Sequence, residues 1–377
     1  MTTTSRREFA TWTRVLFALA LLYVFLVGVG LLEDGIRQFG EGFETQLLAS
    51  VGNPVAGLFA GVAATVIVQS SSISTSTIVG LVGSGTLPIS LAVPMIMGAN
   101  IGTTITNTLV SLGSLRRPTE FRRAFAAATM HDFFNLLAVA VLLPIEILTG
   151  VLSKSASRLG GVLSRAGIGG AEGDSPIRTA VNAGTGAVEG LLGRFTEPGI
   201  GLGVIMLVLG IGLLFASLRF VTTNMRAVMA GRIEQAMNRL LDRGGGIPGI
   251  LMGIAITLAV MTSTITTSIL VPMVAAGVLT VRNAYPVTLG ANIGTTATAL
   301  LAALAVDQPA ALVIALVHML FNLTAIALLY PIPAVRYVPV RLADALAGAA
   351  VRNRSLVAAY VAGLFIVVPF VGILALG

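Results

Sequence analysis

Two clusters of hydroxyl side chains interrupt apolar stretches of this sequence. The first lies in Gln69–Ser76 and the second in Thr262–Ser268, and neither carries a charge. A Ser or Thr that caps a restarting helix leaves backbone N–H groups and the positive end of the helix dipole at the break, which favours an anion. If a helix restarts after Ser71 or after Ser72, that residue is such a cap. The alternative is that the hydroxyls bond back to carbonyls and hold helices together. Because two clusters stand at matched positions, we favour anion binding. The candidate anion ligands are Ser70, Ser71, Ser72, Thr262, Ser263 and Thr264.

The clusters belong to an internal repeat. Gly98–Thr104 and Gly290–Thr296 share the sequence GANIGTT, and the same 192 positions separate Gln69 from Met261. A polar, glycine-rich pair of elements repeated inside apolar sequence predicts a duplicated membrane transporter. The G-x-x-x-G spacing is typical of close helix packing, and hydroxyl, amide and unwound carbonyl oxygens suit Na⁺. The candidate Na⁺ ligands in these segments are Asn100, Thr103, Thr104, Asn292, Thr295 and Thr296.

A third polar set is also duplicated. His131 and Asn135 recur as His318 and Asn322, four residues apart on one helix face, and Asp132 follows His131 in the first half only. A metal site needs more ligands than this. A proton relay is one interpretation, because ionisable groups inside a membrane are often functional. We favour a supporting role, in which these side chains bond the broken segments from behind.

The composition is that of a membrane protein. Of 377 residues, 55% are apolar and 10% are charged, against about 25% charged in soluble domains, and the mean hydropathy is +0.94. The net charge of +7 comes from arginines in loops between apolar runs, so it indicates orientation in the membrane rather than nucleic-acid binding. Because the apolar runs hold almost no cation, we expect helix ends, without an obligatory arginine, to attract an anion.

The chain is predicted not to be an enzyme. It has no nucleophile or zinc motif, no paired carboxylates within a crossing and no Walker motif. No cysteine is present, so disulfides and thiol chemistry are excluded.

Arginine-rich loops set the expected topology. Arg6, Arg7 and Arg14 place the N-terminus in the cytoplasm, and the apolar run after them is too long for a cleaved signal peptide. Each half contains three crossings and one polar hairpin, and because three is odd the halves have opposite orientations. The sequence therefore predicts an all-α polytopic membrane protein of two inverted repeats, each with three transmembrane helices and one re-entrant hairpin, plus a C-terminal helix. The expected divisions are repeat 1 at 1–149 with its hairpin at 53–85, an extracytoplasmic linker at 150–198, repeat 2 at 199–335 with its hairpin at 247–280, and an amphipathic segment with the final helix at 336–377.

These motifs resemble those of the type II sodium-coupled phosphate cotransporters. The resemblance covers about residues 14–335, and so both halves. It is carried by Gln69–Ser76, Gly98–Thr104, the run from Phe121 to Asn135, and Ala284-Tyr285-Pro286 before the second GANIGTT. In that family each half has a QSSS motif that is taken to hold phosphate and Na⁺. By position, the resemblance implies phosphate binding by the two hydroxyl clusters and a role for Gln69 in binding Na⁺.

The chain departs from the family pattern in the second half. Met261 stands where the second motif has glutamine, and threonines replace two serines. Hydroxyls survive there but an amide is lost. The chain also lacks the cysteines that form disulfides in the large outer loop of the vertebrate members.

The resemblance implies a secondary active symporter that couples Na⁺ entry to phosphate uptake by alternating access. Na⁺ is the coupling ion and the only metal, and no cofactor is expected. The expected partners are inorganic phosphate, Na⁺ and the lipid bilayer, without nucleic acid, and a homodimer is left open. We expect a multi-pass protein of the plasma (inner) membrane. The alternatives are the same fold carrying another anion or driven by H⁺ through His131 and Asp132, a channel, or a non-transporting sensor.

Overall fold

The chain is a set of apolar helices. The structure is a computed structural model that describes residues 11–39, 52–165, 176–243, 246–306 and 308–376, and these residues contain no strand. The main helices are α1 (Thr11–Arg37), α2 (Pro54–Val68), α3 (Ser71–Gly83), α4 (Ile89–Gly102), α5 (Ile105–Ser111), α6 (Pro118–Thr149), α7 (Val151–Arg165), α8 (Pro176–Leu192), α9 (Ile200–Arg243), α10 (Ile247–Val260), α11 (Ser263–Ala275), α12 (Val281–Leu304), α13 (Pro309–Leu329), α14 (Val338–Arg352) and α15 (Ser355–Leu376).

Seven spans of the described chain are long and apolar enough to cross a membrane. They are α1, α4 continued through α5, α6, the first 26 residues of α9, α12, α13 and α15. Three lie in each half and one follows, as the sequence predicts. The all-helical, multi-pass class is therefore confirmed.

Both hydroxyl clusters coincide with a break between two short helices. Gln69 and Ser70 separate α2 from α3, and Met261 and Thr262 separate α10 from α11. The four helices have 13 to 15 residues each, which is less than the roughly 20 needed to cross a bilayer. Gln69 and Met261 each end a helix in the left-handed backbone conformation, which stops the helix at the same point in both halves.

Glycines allow each short helix to pack closely on the following GANIGTT helix. A Cβ atom on Gly98 of α4 would collide with the carbonyl oxygen of Leu58 in α2. In the second half, a Cβ atom on Gly290 of α12 would collide with the carbonyl oxygen of Ile250 in α10. Only glycine permits backbones to approach this closely. The packing role predicted for the G-x-x-x-G spacing is therefore confirmed in both halves.

The first long helices of the two halves, α1 and α9, pack against each other antiparallel. A Cβ atom on Gly210 would lie 2.8 Å from the carbonyl oxygen of Gly28. Asn224 Nδ2 of α9 donates to the carbonyl oxygen of Arg14 in α1 at 2.7 Å. Relative to the pair of glycines, this contact lies 14 residues later in α9 and 14 residues earlier in α1. The chain therefore runs in opposite directions in the two packed helices.

The region expected to be a linker, 150–198, forms helices α7 and α8 on either side of 166–175, which lies outside the described residues. Gly160 of α7 lies close to Val313 of α13, and Tyr23 Oη of α1 donates to the carbonyl oxygen of Ala180 in α8 at 2.9 Å. The apolar faces of both amphipathic helices therefore pack on the bundle, and the role of this region as an extracytoplasmic linker stays a prediction.

Candidate functional site

A cavity of about 680 Å³ lies between the two helix breaks and α9. Matched residues of the breaks line it: Gln69, Ser70 and Ser72 from the first, and Met261, Thr262 and Thr264 from the second. Ser71 and Ser263 are buried and do not line the cavity. The structure thus brings the two hydroxyl clusters to one place, although they are about 190 residues apart in the sequence, with two of the three predicted hydroxyls of each cluster lining the cavity.

Ser70 and Thr262 cap the helices that follow the breaks. Ser70 Oγ accepts from the backbone N–H of Ile73 at 3.4 Å, and Thr262 Oγ1 accepts from that of Thr264 at 3.3 Å. The helix restarts at Ser71 rather than after Ser71 or Ser72, so Ser70 is the cap instead of either of those residues. The first N–H groups of a helix have no acceptor within it, and the helix dipole adds positive partial charge at the same end. Each break can therefore offer donors to an anion.

The short helix α5 links the two breaks. Thr106 Oγ1 donates to Gln69 Oε1 at 3.2 Å. Its neighbour Asn107 turns to the second half, where its Oδ1 accepts from Thr267 Oγ1 at 2.9 Å and from Ser268 Oγ at 3.4 Å. Sequence analysis missed both residues of α5, although they follow GANIGTT directly in the chain.

A buried network joins the GANIGTT asparagines to the histidine-containing helices. His131 Nε2 donates to Asn292 Oδ1 at 2.6 Å, and Asn292 Nδ2 donates to Asn135 Oδ1 at 2.9 Å. Asn135 Nδ2 in turn donates to the carbonyl oxygen of Asn100 at 2.6 Å. Side chains of repeat 1 therefore hold both GANIGTT segments.

The matching bonds of the second half are weaker. Asn322 Nδ2 lies 3.4 Å from Asn100 Oδ1 and donates to the carbonyl oxygen of His318 at 3.1 Å. Asn322 Oδ1 and the Nδ1 atoms of His131 and His318 are buried without a hydrogen-bond partner. The two halves are therefore unequal in these polar contacts.

The GANIGTT side chains do not line the cavity. All four threonine hydroxyls donate to carbonyl oxygens of their own helical segments, and the residues are Thr103, Thr104, Thr295 and Thr296. The helix is interrupted at Thr103 and Thr104 in the first half, whereas α12 runs without a break through the second copy. The unwound backbone expected in both copies is therefore wrong for the second.

Asp132 lies apart from the cavity. Tyr360 Oη of α15 donates to Asp132 Oδ2 at 2.6 Å, so the final helix is tied to α6. Within the described residues, no group of three or more His, Asp and Glu side chains is placed to hold a metal ion.

Arg219 is the unexpected member of the cavity wall. The sequence places it in a cytoplasmic arginine loop, but it lies within the apolar span Ile200–Met225 of α9 and lines the cavity. Thr222 and Thr223 line the same wall. The expectation that anion binding needs no obligatory arginine stays a prediction, although this arginine lines the cavity. The available signal was that Ala216–Thr223 remains apolar enough, apart from Arg219, to continue the helix.

Apolar helices long enough to cross a membrane, with two broken helices beside one shared cavity, define a multi-pass membrane protein. The chain belongs to the Na⁺/Pi-cotransporter family, because the model of that family matches residues 24–168 and 213–329.

Individual proteins that resemble this chain support the same family assignment. The sodium-dependent phosphate transport protein 2A of Ovis aries is 32% identical to this chain, over 97% of the chain and 68% of that protein. The 2A protein of Rattus norvegicus is 33% identical, over 94% and 66%, and the 2B protein of Homo sapiens is 32% identical, over 94% and 64%. The chain thus spans about two thirds of the length of these relatives. No solved structure gave a significant match.

Proposed function

We propose that this protein is a secondary active symporter that couples Na⁺ entry to the uptake of inorganic phosphate. The observation that carries the proposal is the cavity that both helix breaks share, because it places neutral hydroxyls and two helix N-termini around one space. Such groups suit an oxyanion. The names of the relatives attach Na⁺-dependent phosphate transport to the family.

Phosphate would contact the cavity-lining hydroxyls and the first N–H groups of α3 and α11. The hydroxyls are those of Ser70, Ser72, Thr262 and Thr264. Gln69 Oε1, already an acceptor, is a suitable Na⁺ ligand beside the bound anion. For the GANIGTT threonines to bind Na⁺ as well, their oxygens would have to accept the ion while donating to the helix, which a hydroxyl can do.

Inverted repeats and re-entrant hairpins complete the proposal. The antiparallel packing of α1 on α9 supports opposite orientations of the two halves, as secondary transporters use for alternating access. Residues of α9 line the cavity, whereas no residue of α1 does. Exchange of the roles of α9 and α1 would give the state open to the other side. The N-terminus would be cytoplasmic and the location the plasma membrane.

Uptake of radiolabelled phosphate by the full chain in liposomes tests the proposal. We expect accumulation that requires an inward Na⁺ gradient and that unlabelled phosphate abolishes. Uptake driven by a pH gradient alone would identify H⁺ as the coupling ion. Flux only down the phosphate gradient, without Na⁺ dependence, would identify a channel, and absence of any flux with intact folded protein would favour a sensor.

A further inference from the structure

Among the described residues that line the cavity, Arg219 is the only one with a charged side chain. It is exposed in the structure, although it lies within an apolar span. No carboxylate in the part of the chain that the structure describes forms an ion pair with it. An arginine within a membrane span is costly unless it faces water or a counter-charge. Because Arg219 is exposed and lines the cavity, an anion that enters the cavity meets this guanidinium.

The second helix break lies next to this face of α9. Thr222, one turn after Arg219, donates through Oγ1 to the carbonyl oxygen of Val260 at 3.4 Å. Val260 is the last residue of α10 and directly precedes Met261. The contact places this part of α9 beside the break whose hydroxyls, from Thr262 and Thr264, face the same cavity.

The second break is also the one that lacks an amide. Gln69 has two N–H donors on its side chain, whereas the thioether of Met261 has none. The position that matches Arg219 in the first half is Val27, which is apolar and buried. The first long helix of a half therefore carries a charged donor only in the second half. That is also the half in which the break has methionine in place of the amide.

We propose that Arg219 is an anion-binding residue of the cavity, which donates charge-assisted hydrogen bonds to phosphate at the second break. The inference rests on the proposed function and deepens it. A guanidinium presents two parallel N–H groups that match two oxygens of an oxyanion. Helix ends supply only partial charges, so Arg219 adds a full positive charge that also offsets part of the charge of phosphate.

Equilibrium binding of radiolabelled phosphate to the purified full chain in detergent, at saturating Na⁺, tests the inference without regard to membrane side. We expect Arg219→Gln to raise the Kd for phosphate about ten-fold or more, as is typical when a hydrogen bond to a charged group is lost. Arg219→Lys should recover only part of the affinity, because it keeps the charge but loses the paired N–H groups of the guanidinium. The Na⁺ concentration that half-saturates binding in Arg219→Gln should stay close to the parent value.

The matched control is Arg341→Gln. Arg341 is exposed on α14 and lies outside the cavity wall, so this variant removes the same charge without changing the site and should bind phosphate like the parent. A Kd for Arg219→Gln within two-fold of the parent value, in protein with an unchanged thermal unfolding midpoint, would overturn the inference. An equal loss of affinity in Arg341→Gln would overturn it too, because net charge would then explain the effect. If the parent chain binds no phosphate, the proposed function itself fails, and that outcome is distinct from the other two.

Discussion

Gln69 and Met261 occupy the same left-handed backbone position in the two halves, with φ of 57° and 58°. No other non-glycine residue in the described chain has positive φ. Gln69 Nε2 donates to the carbonyl oxygen of Val66 at 2.8 Å, and its Oε1 accepts from Thr106. Met261 can do neither, and Thr298, which matches Thr106, donates instead to the carbonyl oxygen of Thr295 at 2.8 Å. The halves share the backbone turn but not its polar contacts.

The first prediction follows from this inequality. Gln69→Met leaves no amide at either break, so Na⁺-dependent phosphate uptake should be strongly reduced. Met261→Gln should be tolerated, because Thr298 can rotate to meet the new amide, and it is expected to alter the dependence on Na⁺. Uptake measured against Na⁺ concentration in both variants checks this. Parent-like uptake by Gln69→Met would remove Gln69 from the site.

Glycine at the same positions separates backbone strain from side-chain chemistry. A non-glycine residue in the left-handed conformation costs roughly 1–2 kcal/mol, so neither Gln69→Gly nor Met261→Gly should lower the thermal unfolding midpoint appreciably. Gln69→Gly should nevertheless lose most uptake, whereas Met261→Gly should keep it. Equal loss in both variants would show that the turn, and not the amide, is what transport needs.

Hydroxyl positions within each cluster should differ in their effects. Ser72→Ala and Thr264→Ala remove hydroxyls that face the cavity, and each should raise the KM for phosphate several-fold, in line with about 0.5–1.5 kcal/mol for a hydrogen bond. Ser71→Ala and Ser263→Ala change residues outside the cavity lining and should affect KM less. The reverse ranking in an uptake assay would contradict the orientation of both helices.

The buried asparagines should contribute unequally to stability. Asn292→Ala would leave His131 Nε2 and Asn135 Oδ1 without partners, and an unsatisfied buried group costs about 1–3 kcal/mol. Asn322→Ala removes longer bonds, to Asn100 and to the His318 carbonyl, and should cost less. Thermal unfolding in detergent compares the two variants. A larger loss in Asn322→Ala would contradict the network.

Opposite orientation of the halves can be tested by introducing single cysteines into the parent chain. No native cysteine has to be removed first, because the chain has none. Ser90 is exposed in the first turn of α4, and Val278 is exposed between α11 and α12. A membrane-impermeant thiol reagent applied outside intact cells should label Ser90→Cys and not Val278→Cys. Labelling of Val278→Cys should require opened membranes. Labelling of both variants from one side would exclude inverted repeats.

Much of the fold was predictable because bilayer crossing imposes length and hydropathy on each helix. The seven spans and the positions of both breaks follow from apolar runs and hydroxyl clusters. The identity of the cap residues and the residues of the cavity wall could not be predicted from these patterns. Ser70 and Ser71 are chemically identical, so only the backbone decides which one caps the helix. Arg219 was assigned to a loop because a single charge in an apolar run has no sequence signal that distinguishes a helix end from a cavity.

The contacts that α5 makes with the second half have no counterpart in the other direction, so the two halves are not interchangeable. Asn107 receives bonds from Thr267 and Ser268 of the other repeat, but its own counterpart is Ala299, which cannot accept one. Ser76, the counterpart of Ser268, is correspondingly buried without a hydrogen-bond partner. The bridging contact is therefore present in one half only. A protein assembled from two second halves would have no asparagine to join its breaks, whereas one assembled from two first halves would have two.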